Sequence, residues 1–249
     1  MEWAEEGIIL ATRPHGEAAA IIDVLTRDHG RHAGLVRGGN ARRLRAVLEP
    51  GNQVHVRWRA RLADHLGTFT VEPVSNRAAA LIGNPLGLAG LTSACAVAQV
   101  SLPERAPHPP VYDSLTFLLD VLPDLDDWGA LLVRWELGLL DALGFGLDLS
   151  KCAATGSPED LVYVSPRTGR AVSRAAGAPY QDRLLPLPAF LLGAQMAAKP
   201  PTAREIDDGL ALTGFFLSRC LLEPQGRKMP PARHRLRDRL GKSLKNPAD

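Results

Sequence analysis

The 249-residue chain is short of cysteine, of aromatic residues and of any overall charge imbalance, and each shortage removes a class of protein. Its three cysteines, Cys95, Cys152 and Cys220, are an odd number set far apart. That excludes the disulfide framework of a small secreted domain and fits a reducing compartment. No stretch approaches the roughly 20 uninterrupted apolar residues that a membrane helix needs. The opening residues, Met1 to Glu6, are acidic and carry neither the basic start nor the apolar run of a secretory signal, so a soluble cytoplasmic protein is expected. Catalytic signatures are missing as well: the seven histidines show no H-E-x-x-H spacing, and there is no G-x-x-x-x-G-K-[ST] loop and no G-x-S-x-G elbow. Gly144-Phe145-Gly146 lacks the third glycine of a dinucleotide fingerprint and follows a helical pattern, not a strand. With no nucleophile, base and orienting group in sight, the expectation is a protein that is not an enzyme and needs no cofactor.

What is present is an ordinary globular composition, 45% hydrophobic and 22% charged, in a chain long enough for two modest domains. The formal net charge of +2 conceals a local excess. Between Arg31 and Arg61 stand Arg37, Arg42, Arg43, Arg45, Arg57 and Arg59, with Glu49 as the one carboxylate in the interval. A patch of this kind attracts polyanions.

Residues 1–75 read as five short strands: Glu6 to Thr12, Ala18 to Leu25, Arg31 to Val36, Gln53 to Arg59 and Gly67 to Val74. Turn chemistry separates them at Pro14-His15-Gly16, Asp28-His29-Gly30, Gly38-Gly39-Asn40 and Pro50-Gly51-Asn52. Five strands in this length match an OB-fold barrel, and the pattern by itself also allows an SH3-like one. After Ser75-Asn76 the texture becomes leucine- and alanine-rich with helical spacing, giving an all-helical domain over residues 76–222 and an α+β fold class overall. Helices are predicted over Val111 to Leu122, Trp128 to Leu143, Pro188 to Met196 and Ala203 to Leu222, the last capped by Thr202 with Glu205 three residues on. Residues 150–180 form an irregular insertion with one strand-like run, Leu161 to Val164. Residues 223–249 read as a loose, proline-rich, basic tail that either binds DNA or stays solvated.

The strongest functional signal is the run from Arg37 to Arg45. It places Arg37, Arg42, Arg43 and Arg45 on a flexible connection between strands, and guanidinium forks bind phosphate oxygens without regard to base sequence. Arg57, Arg59 and Arg61 alternate with Val56, Trp58 and Ala60, so the three cations share one face and Trp58 points into the core. With 5% aromatic residues, binding led by the nucleic-acid backbone is expected over base stacking. Cys152 heads what looks like half a zinc knuckle. Thr155, Ser173 and Ala176 stand where further ligands would be required, so a degenerate knuckle without metal is expected. In the Trp128 to Leu143 helix, Arg134 beside Trp135 is a candidate partner site, since an arginine next to an apolar groove captures the carboxylate of an acidic, hydrophobic peptide. The competing reading of that helix is a central core element with a polar rim.

These residues together resemble a known family, the RecO recombination mediator proteins of bacteria. The resemblance is carried by Glu6-Gly7-Ile8-Ile9-Leu10, Arg13-Pro14-His15-Gly16-Glu17, Ile22 to Thr26, Gly30-Arg31 and Leu48-Glu49-Pro50-Gly51. It continues through Arg134 to Leu140, Leu143-Gly144-Phe145, Cys152, Val164-Ser165-Pro166 and Gly169, and so runs to about Leu222. It implies an OB-fold domain followed by a helical domain, in a nucleoid-associated protein of DNA repair and recombination. Such a protein binds single- and double-stranded DNA, anneals complementary strands and helps load recombinase onto strands coated by single-strand DNA-binding protein (SSB). The implied partners are RecR and the acidic C-terminal tail of SSB, and the implied DNA contacts fall on Arg37, Arg42, Arg43 and Arg45. On the residues alone, an RNA-binding OB-fold module is the alternative.

Overall fold

The structure is a computed structural model that describes residues 1–125, 128–193 and 200–245. The chain divides into two compact units, Met1–Asp124 with Pro230–Arg233, and Leu125–Met229 with the chain from His234 on.

The first unit opens with a closed five-stranded barrel: β1 (Glu2–His15), β2 (Ala19–Thr26), β3 (Gly30–Val36), β4 (Gln53–Arg59) and β5 (Thr68–Ser75). Neighbours run β1-β2-β3-β5-β4, and closure comes from the parallel contact of β3 with β5 at Leu35↔Thr68 and Val36↔Phe69. This is the OB-fold barrel expected from the strand pattern. Inward positions alternate along each strand and supply the core of Ile9, Ile22, Val24, Val54, Val56, Trp58 and Phe69. The indole Nε1–H of Trp58 donates to the Leu66 carbonyl at 3.0 Å, so the buried ring keeps a partner for its polar edge.

The arginine-rich connection between β3 and β4 forms a turn and a short helix, where the sequence suggests an irregular loop. Gly38 takes a left-handed φ of +70°, and a side chain on Gly39 would sit 2.6 Å from Ala20 Cβ. Two glycines therefore make a tight turn held against β2, with the Asn40 amide donating to the Ala18 carbonyl at 3.1 Å. A short helix, α1 (Arg42–Val47), follows. Leu44 and Val47 pack on the barrel core and Leu48 is 1% exposed, a spacing of three and four residues that turns one side of the segment inward.

Three helices follow the barrel in this unit: α2 (Arg77–Ala80), α3 (Pro85–Ser101) and α4 (Pro109–Val121). Two buried arginines tie them to the barrel. Arg77 donates to the Gly51 carbonyl, to Gln53 and, at 2.7 Å, to Asp120. Arg31 pairs with Asp23 at 3.1 Å and donates to the Leu102 carbonyl, so it serves the scaffold and adds nothing to the cationic surface. The barrel ends at Ser75, where the composition changes, while the compact unit runs on to Asp124.

In the second unit, α5 (Trp128–Ala142) packs against α7 (Ala203–Phe216), and the Thr213 hydroxyl donates to the fully buried Glu136 carboxylate between them. Gly144, at φ +86°, stops the chain after α5. The irregular insertion forms β6 (Leu161–Val164), β7 (Ala171–Ser173) and a one-turn α6 (Arg174–Gly177), and β8 (Leu185–Pro186), beyond its expected end, joins them in a three-stranded sheet of order β7-β6-β8 within the domain expected to be helical. Thr202 and Glu205 make the reciprocal capping box at the start of α7.

Two predicted segments differ. In place of a helix from Pro188 to Met196 there is a 3-10 turn, Ala189–Leu191, ended by Gly193 at φ +109°; Ala194 to Met196 lie outside the described residues. The described part of the tail, residues 223–245, is not loose either, and residues 246–249 lie outside the described residues. It holds α8 (Pro231–Lys245), in which Leu236 and Leu240, one turn apart, are buried and Arg237 meets Asp207 of α7 through two nitrogens at 2.6 and 3.0 Å. Four arginines and two lysines in this helix lower its mean hydropathy and hide the apolar spacing. Among the described residues no helix is long and apolar enough to cross a membrane.

Candidate nucleic-acid interface

Strand β4 carries the site. Its inward Val54, Val56 and Trp58 fix the alternation, and Arg57 and Arg59 consequently stand on the outer face with side chains 63% and 76% exposed. The neighbouring β5 adds outward Thr68 and Thr70, and Arg37 comes in from the end of β3. These residues line a groove of about 530 Å³ whose apolar floor includes Val36, Leu44, Phe69 and Val71. Three arginines and two threonines are among the residues that line it. All five donate hydrogen bonds, a set suited to phosphate oxygens. Phe69 is only 4% exposed, so the groove offers no open aromatic face for stacking a base.

One carboxylate shares the groove. Glu2, at the start of β1, lies 3.6 Å from Arg57 and 3.4 Å from Arg59. Strand β1 begins at Glu2, four residues before the predicted start, and the inward Trp3 between outward Glu2 and Ala4 is the alternation signal that marks the extension.

The structure thus brings together Arg37, Arg57 and Arg59. Arg42, Arg43 and Arg45 lie exposed on α1, whose Leu44 reaches the groove, and Arg45 donates to the Asn40 carbonyl at 3.2 Å. Arg61 is exposed in the connection from β4 to β5 and does not line the groove. Trp58 is core, as its alternation requires.

On α5 the two candidate partner residues separate. Arg134 is exposed, donates to the Phe190 carbonyl at 2.7 Å and has its guanidinium 6.0 Å from that ring. Trp135 is 4% exposed, so its ring belongs to the core of the unit and is out of reach of a partner. The helical period explains the split, because adjacent residues are turned by about 100° and cannot both face the same way.

The knuckle residues do not fit a zinc ion. Cys152 is fully buried, and its Sγ accepts the Ser173 amide at 3.3 Å and the Ser173 hydroxyl at 3.4 Å, which fills the space where a second thiolate would stand. Among the described residues no group of three or more His, Cys, Asp and Glu side chains could hold a metal ion.

Comparison with known proteins places this geometry in context. The family model described as Recombination protein O N terminal matches residues 1–77, and the one described as Recombination protein O C terminal matches residues 83–229. The chain is 52% identical over 245 residues to the DNA repair protein RecO of Rhodospirillum rubrum, covering 96% of both chains. It is 52% identical over 245 residues to the protein of that name from Rhodospirillum centenum, covering 98% of this chain and 96% of the other. Over 244 residues it is 52% identical to that of Cereibacter sphaeroides, covering 98% of this chain and all of the other.

Proposed function

The chain belongs to the RecO family of DNA repair proteins, and from that premise we propose that its barrel holds DNA by the phosphate backbone through the Arg37, Arg57 and Arg59 groove. The observation that carries the reading is that Arg37, Arg57 and Arg59 line one groove with Thr68 and Thr70 and without an open aromatic face. A site of this composition grips single and double strands alike and leaves the bases free to pair. On this reading the protein anneals complementary strands and helps load recombinase onto SSB-coated single strands together with RecR. It acts by binding and positioning and not as an enzyme, in the cytoplasm at the nucleoid. The acidic tail of SSB is the partner assigned to the second unit, and Arg134 is the exposed cation on α5 that would meet its carboxylates. The remaining arginines, Arg42, Arg43, Arg45 and Arg61, extend the cationic surface beyond the groove.

Fluorescence anisotropy with a labelled oligothymidylate over a range of salt concentrations tests the DNA contact. Replacing Arg57 and Arg59 with alanine removes two phosphate contacts, so affinity should fall roughly tenfold and the plot of log K against log salt should become shallower by about 1.4 on single strands. Unchanged affinity and slope would exclude the groove. A strong preference for RNA in a competition titration would instead favour the RNA-binding module, and failure to anneal complementary strands with or without SSB would remove the mediator role.

A further inference from the structure

The groove proposed for DNA already holds an anion of the protein's own. In the β1–β4 ladder Glu2 is directly opposite Arg59 and diagonal to Arg57, whose own partner is Ala4. Period-two alternation puts all three side chains on the outer face, within reach of one another. The backbone on either side of Glu2 is fixed: the Met1 amino group donates to the Ala60 carbonyl at 2.7 Å, the Ala60 amide donates back to the Met1 carbonyl at 3.0 Å, and Trp3 stacks on Trp58 at 5.9 Å. Only the Glu2 side chain is left to move, and at 42% exposure it has solvent to move into.

We infer that Glu2 is an internal competitor for phosphate, a carboxylate that occupies Arg57 and Arg59 in the free protein and is displaced when a DNA phosphate enters the groove. The inference rests on the reading of the groove as a DNA contact. Its chemistry follows from the distances. At 3.4 and 3.6 Å between exposed groups the two ion pairs are weak, and a phosphate that receives both guanidinium forks replaces them at little cost. Glu2 nevertheless cancels one of the three positive charges lining the groove and repels the incoming anion until it swings away. The consequence is a grip kept below its full strength, suited to a strand that has to be released.

Anisotropy titrations of the full chain with labelled oligothymidylate, for wild type, Glu2→Gln, Glu72→Gln, Arg57→Ala/Arg59→Ala and the combination of Glu2→Gln with the arginine pair, test it. Glu72 is an exposed carboxylate on β5, opposite His55, diagonal to Arg57 and outside the groove lining, and it controls for a nearby carboxylate that does not pair with the arginines. Glu2→Gln should tighten binding roughly three- to tenfold and steepen the salt slope, whereas Glu72→Gln should change affinity by less than about twofold because, among the described residues, Glu72 makes no ion pair with Arg57 or Arg59 and does not occupy them. In the Arg57→Ala/Arg59→Ala background the gain should vanish. Wild-type affinity and slope in Glu2→Gln, an equal gain in Glu72→Gln, or a gain that persists without the two arginines would each overturn the inference while leaving the groove intact, provided the arginine pair itself loses affinity. If Arg57→Ala/Arg59→Ala binds as wild type does, the groove reading falls and the inference falls with it.

Discussion

His32 shows what a single residue contributes to this barrel. It is 5% exposed among Trp3, Trp58 and Phe69, and neither ring nitrogen has a hydrogen-bond partner among the described residues. Burial, followed by the charges of Arg105 and His29, pushes its pKa down to about 4, with Glu104 opposing. The neutral ring is therefore the native form. Above pH 6.5 neither folded nor unfolded chain protonates it and stability is full. As the pH falls from 6.5 through about 4, the unfolded chain takes up a proton that the fold refuses, and on the order of 3 kcal/mol is lost. Urea denaturation from pH 4 to pH 7 should show this slope in wild type and a flatter one in His32→Phe; parallel curves would mean that His32 does not carry it. Alternation in β4 made the inward Trp58 legible in the sequence, but nothing in β3 marks His32 as a core residue, because histidine suits either face of a half-buried strand. Glu2 escaped for a related reason: a charged start to a strand reads as a solvated end until the partner strand is known.

At the scale of elements, the strands were legible and the arginine-bearing helix was not. Each strand is a short apolar-rich run, alternating most clearly in β4, between glycine-containing turns, and that pattern depends on the chain alone. In α1 and its C-cap the large apolar set is only Leu44, Val47 and Leu48, diluted by three arginines, and its helical spacing gains meaning only from the barrel core on which it packs. Leu48 is 1% exposed in that core, so Leu48→Ala should cost about 2–5 kcal/mol by chemical denaturation. A loss below about 1 kcal/mol would show that the barrel end closes without it. Helix α8 escaped notice in the same way, its Leu236 and Leu240 lying among cations. The cap of α7 was legible because the capping box is a local signal, Thr202 and Glu205 satisfying each other's backbone donors. Thr202→Ala should accordingly lower stability by about 1 kcal/mol, read as a shift in the denaturation midpoint.

For the molecule as a whole, the question is how many of its cations take part in binding. A net charge of +2 produces too weak a long-range field to gather DNA, so attraction has to come from local clusters. The sequence marked seven arginines as one cationic surface. The barrel distributes them: three line the groove, three ride on α1 and one lies in the β4–β5 connection. A single strand follows one path and cannot meet cations spread around a helix and a groove at once. Salt dependence counts the phosphates engaged. Three contacts predict a fall in single-strand affinity of roughly 20-fold between 50 and 200 mM salt, and seven predict roughly 900-fold. The grouping in the structure favours the smaller figure, with the larger share lost on removing Arg57 and Arg59 and less on removing Arg42, Arg43 and Arg45. A measured fall near the larger figure, abolished equally by either set of substitutions, would mean that the strand wraps across α1 as well, and that the groove is only one part of a broader electrostatic surface.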